Sequence, residues 1–176
     1  ETKIDKELLD RAKNLKCVVS ATTGLNHIDI DSLKSKNIPL FSLHGTHSIS
    51  TAEHTLALLF SAARHIPRAH SNLINGGWHR SKFIGTELTG KTLGIFGLGR
   101  IGKEVAKRAR GLGIKTIAYD PYLGKIEIKK RGAEKVSWND FLKISDIVSL
   151  HAPLTEETLN IFNSAAFQKI KRDVII

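Results

Sequence analysis

The sequence predicts an α/β protein built on a doubly wound parallel sheet. Short apolar segments alternate with helical segments along the chain, as in "KCVVS", "IPLFSL", "TLGIF", "IKTIAYD" and "SDIVSLHAP". Alternation at such short spacing is typical of parallel strands joined by crossover helices. A glycine-rich turn, "GLGRIG", leads directly from one of these strands into a helix, which is a second sign of the same fold class.

The first forty residues contain two predicted helices and two predicted strands. Residues 5–14 predict a helix capped by Asp5, and Asp29 is placed to cap a second helix, "IDSLKSKN". The strand "KCVVS" is predicted to bury Cys17. One cysteine cannot build a disulfide framework, which favours a reducing, cytoplasmic compartment.

A long apolar helix is predicted next. "SISTAEHTLALLFSAARHI" begins with a capping box, Ser50 with Glu53, and Pro67 ends or kinks it. Its apolar residues leave no wide polar face, so we expect burial between two lobes or two subunits, with His54 hydrogen-bonded inside. The intact protein is therefore predicted to be a homodimer. Gly76 and Gly77 are predicted to close the following helix.

The net charge of +10 attracts phosphate, either in nucleic acid or in an anionic metabolite, unless the charges are only solvated helix faces. "RIGKEVAKRARGLG" favours solvated faces, because Ile101, Val105 and Ala109 recur on one side. "KIEIKKRG" has no interleaved aromatic residues for base stacking, so no nucleic-acid partner is predicted. No apolar run reaches the roughly 18 residues of a membrane span, so no membrane partner is predicted either.

Two phosphate-binding patterns lie close together. Gly85–Thr92 reads G-x-x-x-x-G-K-T, which would indicate a P-loop phosphotransferase. In a P-loop the lysine and threonine open a helix, whereas Lys91 and Thr92 are followed by the strand-like "LGIF". We therefore predict a chance match and keep the phosphotransferase as a distant alternative.

The second pattern has the correct context on both sides. Gly97 permits a tight turn, Gly99 lets a pyrophosphate approach the backbone, and Gly102 lets the helix pack closely on the strand. Asp120 ends the next strand at about the 20-residue distance expected for a ribose-binding acid. Its carboxylate would repel a 2′-phosphate, which favours NAD over NADP. The alternative interpretation of Asp120 is a turn residue before Pro121.

Five segments together resemble the D-isomer-specific 2-hydroxyacid dehydrogenase family: "ATTGLNHID", "STAEHTLAL", "GTELTGKTLGIFGLGRIG", "YDPY" and "HAPLTEET". They occur in the family's order and spacing, from about Lys16 to Ile176. The resemblance implies that residues 1–43 end the first segment of a smaller, flavodoxin-like substrate domain. Residues 44–176 would then form a Rossmann-type NAD-binding domain, with hinges near residues 43–50. Because the chain has no methionine and stops within the apolar "DVII", we expect part of a longer protein, its sheet incomplete at the C-terminus.

The resemblance also implies roles for individual residues. Arg100 and Ile101 would offer backbone N–H groups, and Arg100 its cationic side chain, to the pyrophosphate. Thr23 and Gly24 would face the nicotinamide and the substrate carboxylate, although Thr23 alone would be interpreted as a turn residue. The full set of implied cofactor contacts is Thr23, Gly97, Gly99, Arg100, Ile101, Gly102, Asp120, Ala152 and Pro153, the last two on the adenosine side.

The implied activity is hydride transfer between NAD and a D-2-hydroxy acid, with D-3-phosphoglycerate as one candidate and a 2-hydroxy or 2-keto acid as the small-molecule partner. An NAD-binding, corepressor-like member of the same family is the alternative. The family's catalytic arginine, acid and histidine are expected beyond Ile176, and His151 does not match the catalytic position. No metal site is expected, because His44, His47 and His54 lack a carboxylate or thiol set at ligand spacing.

Overall fold

The computed structural model describes residues 2–22, 24–43 and 47–176. It divides into two compact units, Glu1–His47 and Ser48–Ile176, called here the N-terminal unit and the C-terminal unit. Thr23 and His44, both named in the sequence analysis, lie outside the described residues.

The N-terminal unit pairs two short parallel strands with two short helices. Its elements are α1 Lys6–Arg11, β1 Val18–Ser20, α2 Ile30–Ser35 and β2 Leu40–Ser42. Both predicted helix caps are confirmed: an Asp5 carboxylate oxygen accepts the Leu8 N–H at 3.0 Å, and Asp29 accepts the Ser32 N–H at 2.9 Å.

The core of the N-terminal unit does not include its cysteine. The buried side chains are those of Leu9, Val18, Ile28 and Leu33. Cys17 is exposed, so the prediction that it is buried in a strand is wrong. The strand begins one residue later, at Val18, and because successive side chains of a strand point to opposite faces, only alternate residues face the core.

The C-terminal unit contains the main sheet, whose four strands are all parallel. They lie in the order β5 (Glu134–Lys135), β4 (Lys115–Tyr119), β3 (Thr92–Phe96) and β6 (Ile147–Leu150). Ile175, in the predicted strand "DVII", makes a parallel bridge to Ile147. The elements are α3 Ser48–Ala63, α4 Ile66–Ile74, a 3₁₀ turn Arg80–Phe83, β3 Thr92–Phe96, α5 Arg100–Gly111, β4 Lys115–Tyr119, α6 Lys125–Lys130, β5 Glu134–Lys135, α7 Trp138–Ile144, β6 Ile147–Leu150 and α8 Ser164–Phe167.

Helices cover both faces of this sheet. On one face, α3, α5 and α6 pack against strand residues such as Leu93 and Ile95. On the other face, α7 and α8 pack against Phe96, Ile117 and Val148. The predicted doubly wound α/β architecture is therefore confirmed.

Helix α3 departs from its prediction in two respects. It begins at Ser48, which puts Ser50 within its first turn, so the predicted capping box does not mark its start. Its buried residues form a single stripe, Ala52, Leu56, Leu59 and Ala63. His54 points away from that stripe and is exposed, so its predicted interior position is wrong. Leu58 is 57% exposed on the same outer side.

The boundaries after α3 follow the prediction. Pro67 lies in the first turn of α4, where its missing N–H is tolerated, and Gly76, with φ at +77°, follows the end of that helix. Among the described residues, no helix combines the length and the apolar character needed to cross a membrane.

Candidate functional site

Three strand ends meet at the carboxyl edge of the main sheet. β3 lies between β4 and β6, and the chain leaves β3 toward β4 on one side but reaches β6 on the other. Such a reversal of strand order opens a crevice outside the carboxyl ends of the strands, where ligands bind in α/β sheets. Gly97–Gly102, Asp120 and His151–Pro153 directly follow these three strands.

Gly97 is held at this crevice by conformation and by packing. Its φ of +85° lies in the left-handed region, which glycine adopts without strain. A Cβ at this position would lie 2.7 Å from the backbone nitrogen of Ala152, in the loop after β6. The glycine turn and the loop after β6 therefore touch across the crevice, and the predicted need for a glycine here is confirmed.

Gly102 and Gly99 differ in their surroundings. A Cβ on Gly102 would lie 2.4 Å from the carbonyl oxygen of Gly97, so α5 packs directly on the turn that precedes it. A Cβ on Gly99 would meet nothing within 4 Å. Gly99 is the N-cap of α5, whose 12 residues begin with Arg100. Gly99 makes no side-chain cap hydrogen bond, and the space beside it is open, so an anion can approach the N-terminus of α5 there.

Asp120 ties β4 to the glycine turn. It is 9% exposed, and its Oδ2 accepts the backbone N–H of Leu98 at 3.0 Å. Its Oδ1 accepts the N–H of Tyr122 at 3.0 Å, as in an Asx turn. Asp120 is thus a turn residue and also a brace for the glycine loop. An ionised carboxylate has about four acceptor positions, so two remain for a ligand hydroxyl pair.

The loop after β6 forms the other side of the crevice. The His151 N–H donates to the Phe96 carbonyl at 2.8 Å, and its ring Nε2 lies 2.8 Å from the Ser149 hydroxyl. Burial lowers the pKa of His151, so the ring is neutral near pH 7. Ala152 is half-buried beside Gly97, and Pro153 is exposed.

A contact between side chains that no sequence motif predicted joins the two loops that flank the crevice. The exposed Tyr122 hydroxyl donates to the Glu157 carboxylate, and this bond raises the pKa of Tyr122. The Thr158 hydroxyl donates to the Pro153 carbonyl at 2.7 Å, which folds the loop back on itself. Tyr122 lies in "YDPY" and Glu157 in "HAPLTEET", two of the segments that carry the family resemblance. That resemblance is the only feature of the sequence that points to this pair.

The P-loop pattern lies at the opposite edge of the sheet. Thr92 is the first residue of β3, and its N–H donates to the Asp146 carboxylate at 2.8 Å. The Lys91 N–H is bonded to the Leu88 carbonyl, so neither amide is available at a helix N-terminus. The prediction that Gly85–Thr92 leads into a strand and not into a helix is confirmed.

The N-terminal unit contains the remaining predicted site residues. Gly24 has no heavy atom within 4 Å of an added Cβ, and its carbonyl accepts the Thr22 hydroxyl at 2.9 Å. Over residues 2–22, 24–43 and 47–176, no three histidine, cysteine, aspartate or glutamate residues are grouped as metal ligands.

Comparisons with known proteins find relatives over nearly the whole chain. Residues 56–176 match the family model "D-isomer specific 2-hydroxyacid dehydrogenase, NAD binding domain". The chain is 42% identical over 176 residues to a D-3-phosphoglycerate dehydrogenase of Archaeoglobus fulgidus, of which it covers 33%. It is 42% identical over 175 residues to a hydroxypyruvate reductase of Thermotoga maritima, of which it covers 56%.

Solved structures give the same result. The structure of a D-lactate dehydrogenase from Aquifex aeolicus, complexed with NAD and lactic acid, superposes with a TM-score of 0.81 at 32% identity. That match covers 96% of this chain and 51% of the other. The chain thus spans about a third of the length of the curated phosphoglycerate dehydrogenase and about half of the solved lactate dehydrogenase.

Proposed function

We propose that this chain, which belongs to the D-isomer specific 2-hydroxyacid dehydrogenases, forms the cofactor-binding part of an enzyme that transfers a hydride between NAD and a D-2-hydroxy acid. The observation that carries the proposal is the crevice at the carboxyl edge of the main sheet. There an open helix N-terminus and two packed glycines follow β3, and a buried carboxylate follows the neighbouring β4. Ala152, in the loop after β6, packs against one of those glycines.

The crevice fits a dinucleotide in its charge and its free space. The open space at Gly99 leaves room for a pyrophosphate beside the N–H groups of Arg100 and Ile101, with the Arg100 guanidinium nearby on the same turn. The two free acceptor positions of Asp120 match the two hydroxyls of an adenosine ribose. Ala152 and Pro153 would line the adenosine side of the site.

The bound nicotinamide would accept or donate the hydride, and the protein would supply binding, orientation and the exclusion of water. We propose that Thr23 and Gly24 face the nicotinamide and the substrate carboxylate, as the family resemblance implies. No proton-transfer group is assigned within this chain. Neutral His151 is already engaged by Ser149 and by the backbone of Phe96.

We propose the same division of the chain that the sequence indicates: residues 1–43 in the substrate domain and 44–176 in the NAD-binding domain. The two compact units, which divide at His47, support this boundary. Residues 43–50 would then contain the hinge.

A homodimer in the cytoplasm is proposed as the working form. Its support is an exposed apolar surface on and after α3 and α4, which a monomer would leave in water. The residues are Leu58, Ile66, Leu73, Ile74, Trp78 and Ile84, of which Trp78 is 74% and Ile84 77% exposed. Light scattering at micromolar concentration should give twice the protomer mass, and a monomer would contradict the proposal.

D-3-phosphoglycerate is proposed as the substrate to test first, because two relatives, at 42% and 39% identity, are named D-3-phosphoglycerate dehydrogenase. The assay follows NADH formation by the intact protein, which includes the expected catalytic residues, with D-3-phosphoglycerate, D-lactate and D-glycerate in turn. We expect the phosphorylated acid to give the highest kcat/KM. Equal or faster turnover of D-lactate would contradict that choice without affecting the proposed cofactor site.

Cofactor choice is tested separately by calorimetric titration. We expect NAD to bind more tightly than NADP, because a 2′-phosphate at Asp120 would place two negative charges together. NADP binding as tight as NAD binding would overturn the proposed role of Asp120.

A further inference from the structure

Ten cationic side chains gather on the surface formed by α5, α6 and β5. They line two adjoining depressions, of about 510 and about 760 Å³, which share Arg110 and Gly132 and are called here the basic groove. The cations are Arg100, Lys103, Lys107, Arg110, Lys115, Lys125, Lys129, Lys130, Arg131 and Lys135. Only three carboxylates, Glu104, Glu127 and Glu134, line it as well, so most of the chain's net charge of +10 is concentrated here.

The carboxylates of the groove do little to neutralise it. Glu104 pairs with Arg108, which is not in the lining, at 2.6 Å, and Glu127 pairs with Arg131 at 2.8 Å. Within the described part of the chain, no carboxylate oxygen lies within 4.0 Å of the charged nitrogens of nine of these cations. They are Arg100, Lys103, Lys107, Arg110, Lys115, Lys125, Lys129, Lys130 and Lys135, of which Lys135 donates to the Leu123 carbonyl.

The cations of the basic groove repel one another, which sets this surface apart from an ordinary solvated helix face. Lys103 and Lys107 are four residues apart on α5, a spacing at which like charges destabilise a helix. Lys130 of α6, across the groove, and Arg110, near the end of α5, add to the same field. An anion with several charges would relieve this repulsion at several points at once.

The lining selects the kind of anion. Arginine guanidinium groups bind phosphate oxygens in a fork-shaped, bidentate geometry, and lysines add point charges. Each depression has the volume of a small-molecule pocket. No Phe, Tyr or Trp is among the described residues that line them, so a nucleic-acid strand would find no stacking platform.

We propose that the basic groove binds a compound with a chain of phosphates, either inorganic or attached to a nucleoside. Arg100 lies where the proposed function places the cofactor's pyrophosphate. At about 1.5 Å per residue, however, α5 carries Arg110 roughly 15 Å away along its axis. The groove therefore extends well beyond the cofactor site, and both can be filled together.

The test is calorimetric titration of tripolyphosphate, and separately of ATP, into the purified protein saturated with NAD. We expect binding at one site, weakened by added salt. The variant Lys107→Gln/Arg110→Gln should bind tripolyphosphate about tenfold more weakly, as expected when charge-assisted hydrogen bonds are lost. Tight binding of ATP as well as tripolyphosphate would identify a nucleoside-linked source.

A matched control also removes one lysine and one arginine charge, but from the other face of the sheet. Lys143 lies on α7 and Arg172 near the end of the chain, and both are exposed. Lys143→Gln/Arg172→Gln should leave tripolyphosphate affinity within about twofold, since distant exposed charges are screened by salt. Unchanged NAD affinity in both double variants would show that each remains folded.

Four results would overturn the proposal: no binding of tripolyphosphate, equal weakening in both double variants, displacement of NAD by tripolyphosphate, or tighter binding of a single-stranded RNA than of tripolyphosphate. A failure of the wild-type protein to bind NAD would instead overturn the proposed function. Tripolyphosphate could still be titrated without NAD in that case, so the two failures are distinguishable.

Discussion

Two glycine-rich segments flank β3, and both match a phosphate-binding pattern. Gly85–Thr92 leads into the strand, whereas Gly97–Gly102 leads out of it into α5. In the first segment the Lys91 and Thr92 amides are already bonded to Leu88 and Asp146. In the second, no side chain caps α5 at Gly99 and the space beside Gly99 is open. Chain direction therefore decides which match can bind phosphate, because the turn that leads into a helix leaves first-turn N–H groups without intrahelical partners. The turn that leads into the strand has its Lys91 and Thr92 amides already bonded.

The largest expected difference between the two segments is the loss of folding stability when alanine replaces the glycine that has a positive φ in each. Gly97 and Gly90 have φ of +85° and +76°, but an added Cβ meets Ala152 only at Gly97, while Gly90 has nothing within 4 Å. Gly97→Ala should lower the free energy of unfolding by about 2–4 kcal/mol, from left-handed strain plus overpacking. Gly90→Ala should lose only the strain, about 1–2 kcal/mol.

Urea denaturation of both variants checks this difference. Equal losses would show that the contact between the glycine turn and the loop after β6 is not tight.

The next largest effect is on NAD affinity, which should differ between substitutions at Asp120 and at Lys91. Asp120→Ala should weaken NAD binding by about 1–3 kcal/mol, because hydrogen bonds to a charged group are lost. Lys91→Ala should leave NAD affinity unchanged, since the residue precedes the strand at the far edge of the sheet. Calorimetric titration of the two variants measures both. A loss of affinity in Lys91→Ala that matched the loss in Asp120→Ala would remove the distinction between the segments.

A smaller effect is expected at Gly99. Gly99 and Gly124 are N-caps, of α5 and α6, with φ of −74° and −72°, and neither has an atom within 4 Å of an added Cβ. Both alanine variants should therefore keep their stability within about 1 kcal/mol. Only Gly99→Ala should weaken NAD, by about tenfold, because its methyl group occupies the space where the pyrophosphate approaches. Similar NAD affinities in the two variants would argue against that position for the pyrophosphate.

The smallest effect is a dependence of stability on pH at the carboxyl edge. Burial lowers the folded-state pKa of His151, so the unfolded chain takes up its proton first as the pH falls below about 6.5. Stability should therefore fall below that pH, by at most about 1.4 kcal/mol per pH unit from this group. Unfolding free energies at pH 7.5 and 5.5 should differ less in His151→Gln than in the wild type. The same difference in both would exclude this contribution.

The amino edge should respond to acid at a lower pH. Burial acts to raise the pKa of Asp146, but hydrogen bonds from Lys171 and from the Thr92 N–H prevail and lower it. A lowered carboxylate pKa contributes stability that is present above the ordinary value near 3.8 and is lost as the pH falls through the folded value. In urea denaturation, Asp146→Asn should therefore be less stable than the wild type at neutral pH, and its unfolding free energy should depend less on pH below about 4. An unfolding free energy that falls equally steeply in both proteins below about pH 4 would exclude this contribution.

The sequence predicted the central elements well where a local pattern determines them. "TLGIF" and "WNDFLKI" match β3 and α7 to the residue, because a continuous apolar run and a helical period are unambiguous over such lengths. The single turns of α6 and α8 and the two-residue β5 were not predicted, since four to six residues hold too little periodicity.

The site was predicted less completely, because its contacts join distant parts of the chain. The glycine pattern identified Gly97 and Gly102. It did not show that Ala152 leaves no room for a side chain at position 97. The spacing placed Asp120 at a ligand, but not its bond to the Leu98 amide. Cys17 and His54 were predicted to be buried from apolar neighbours in sequence, although their own side chains point outward.

The most direct test of the central claim is a crystal structure of the protein with NAD. We predict pyrophosphate oxygens at about 2.7–3.2 Å from the backbone nitrogens of Arg100 or Ile101. The adenosine ribose hydroxyls should lie within the same range of the Asp120 carboxylate. A pyrophosphate bound instead at Gly90 and Lys91, on the amino edge of β3, would contradict the claim.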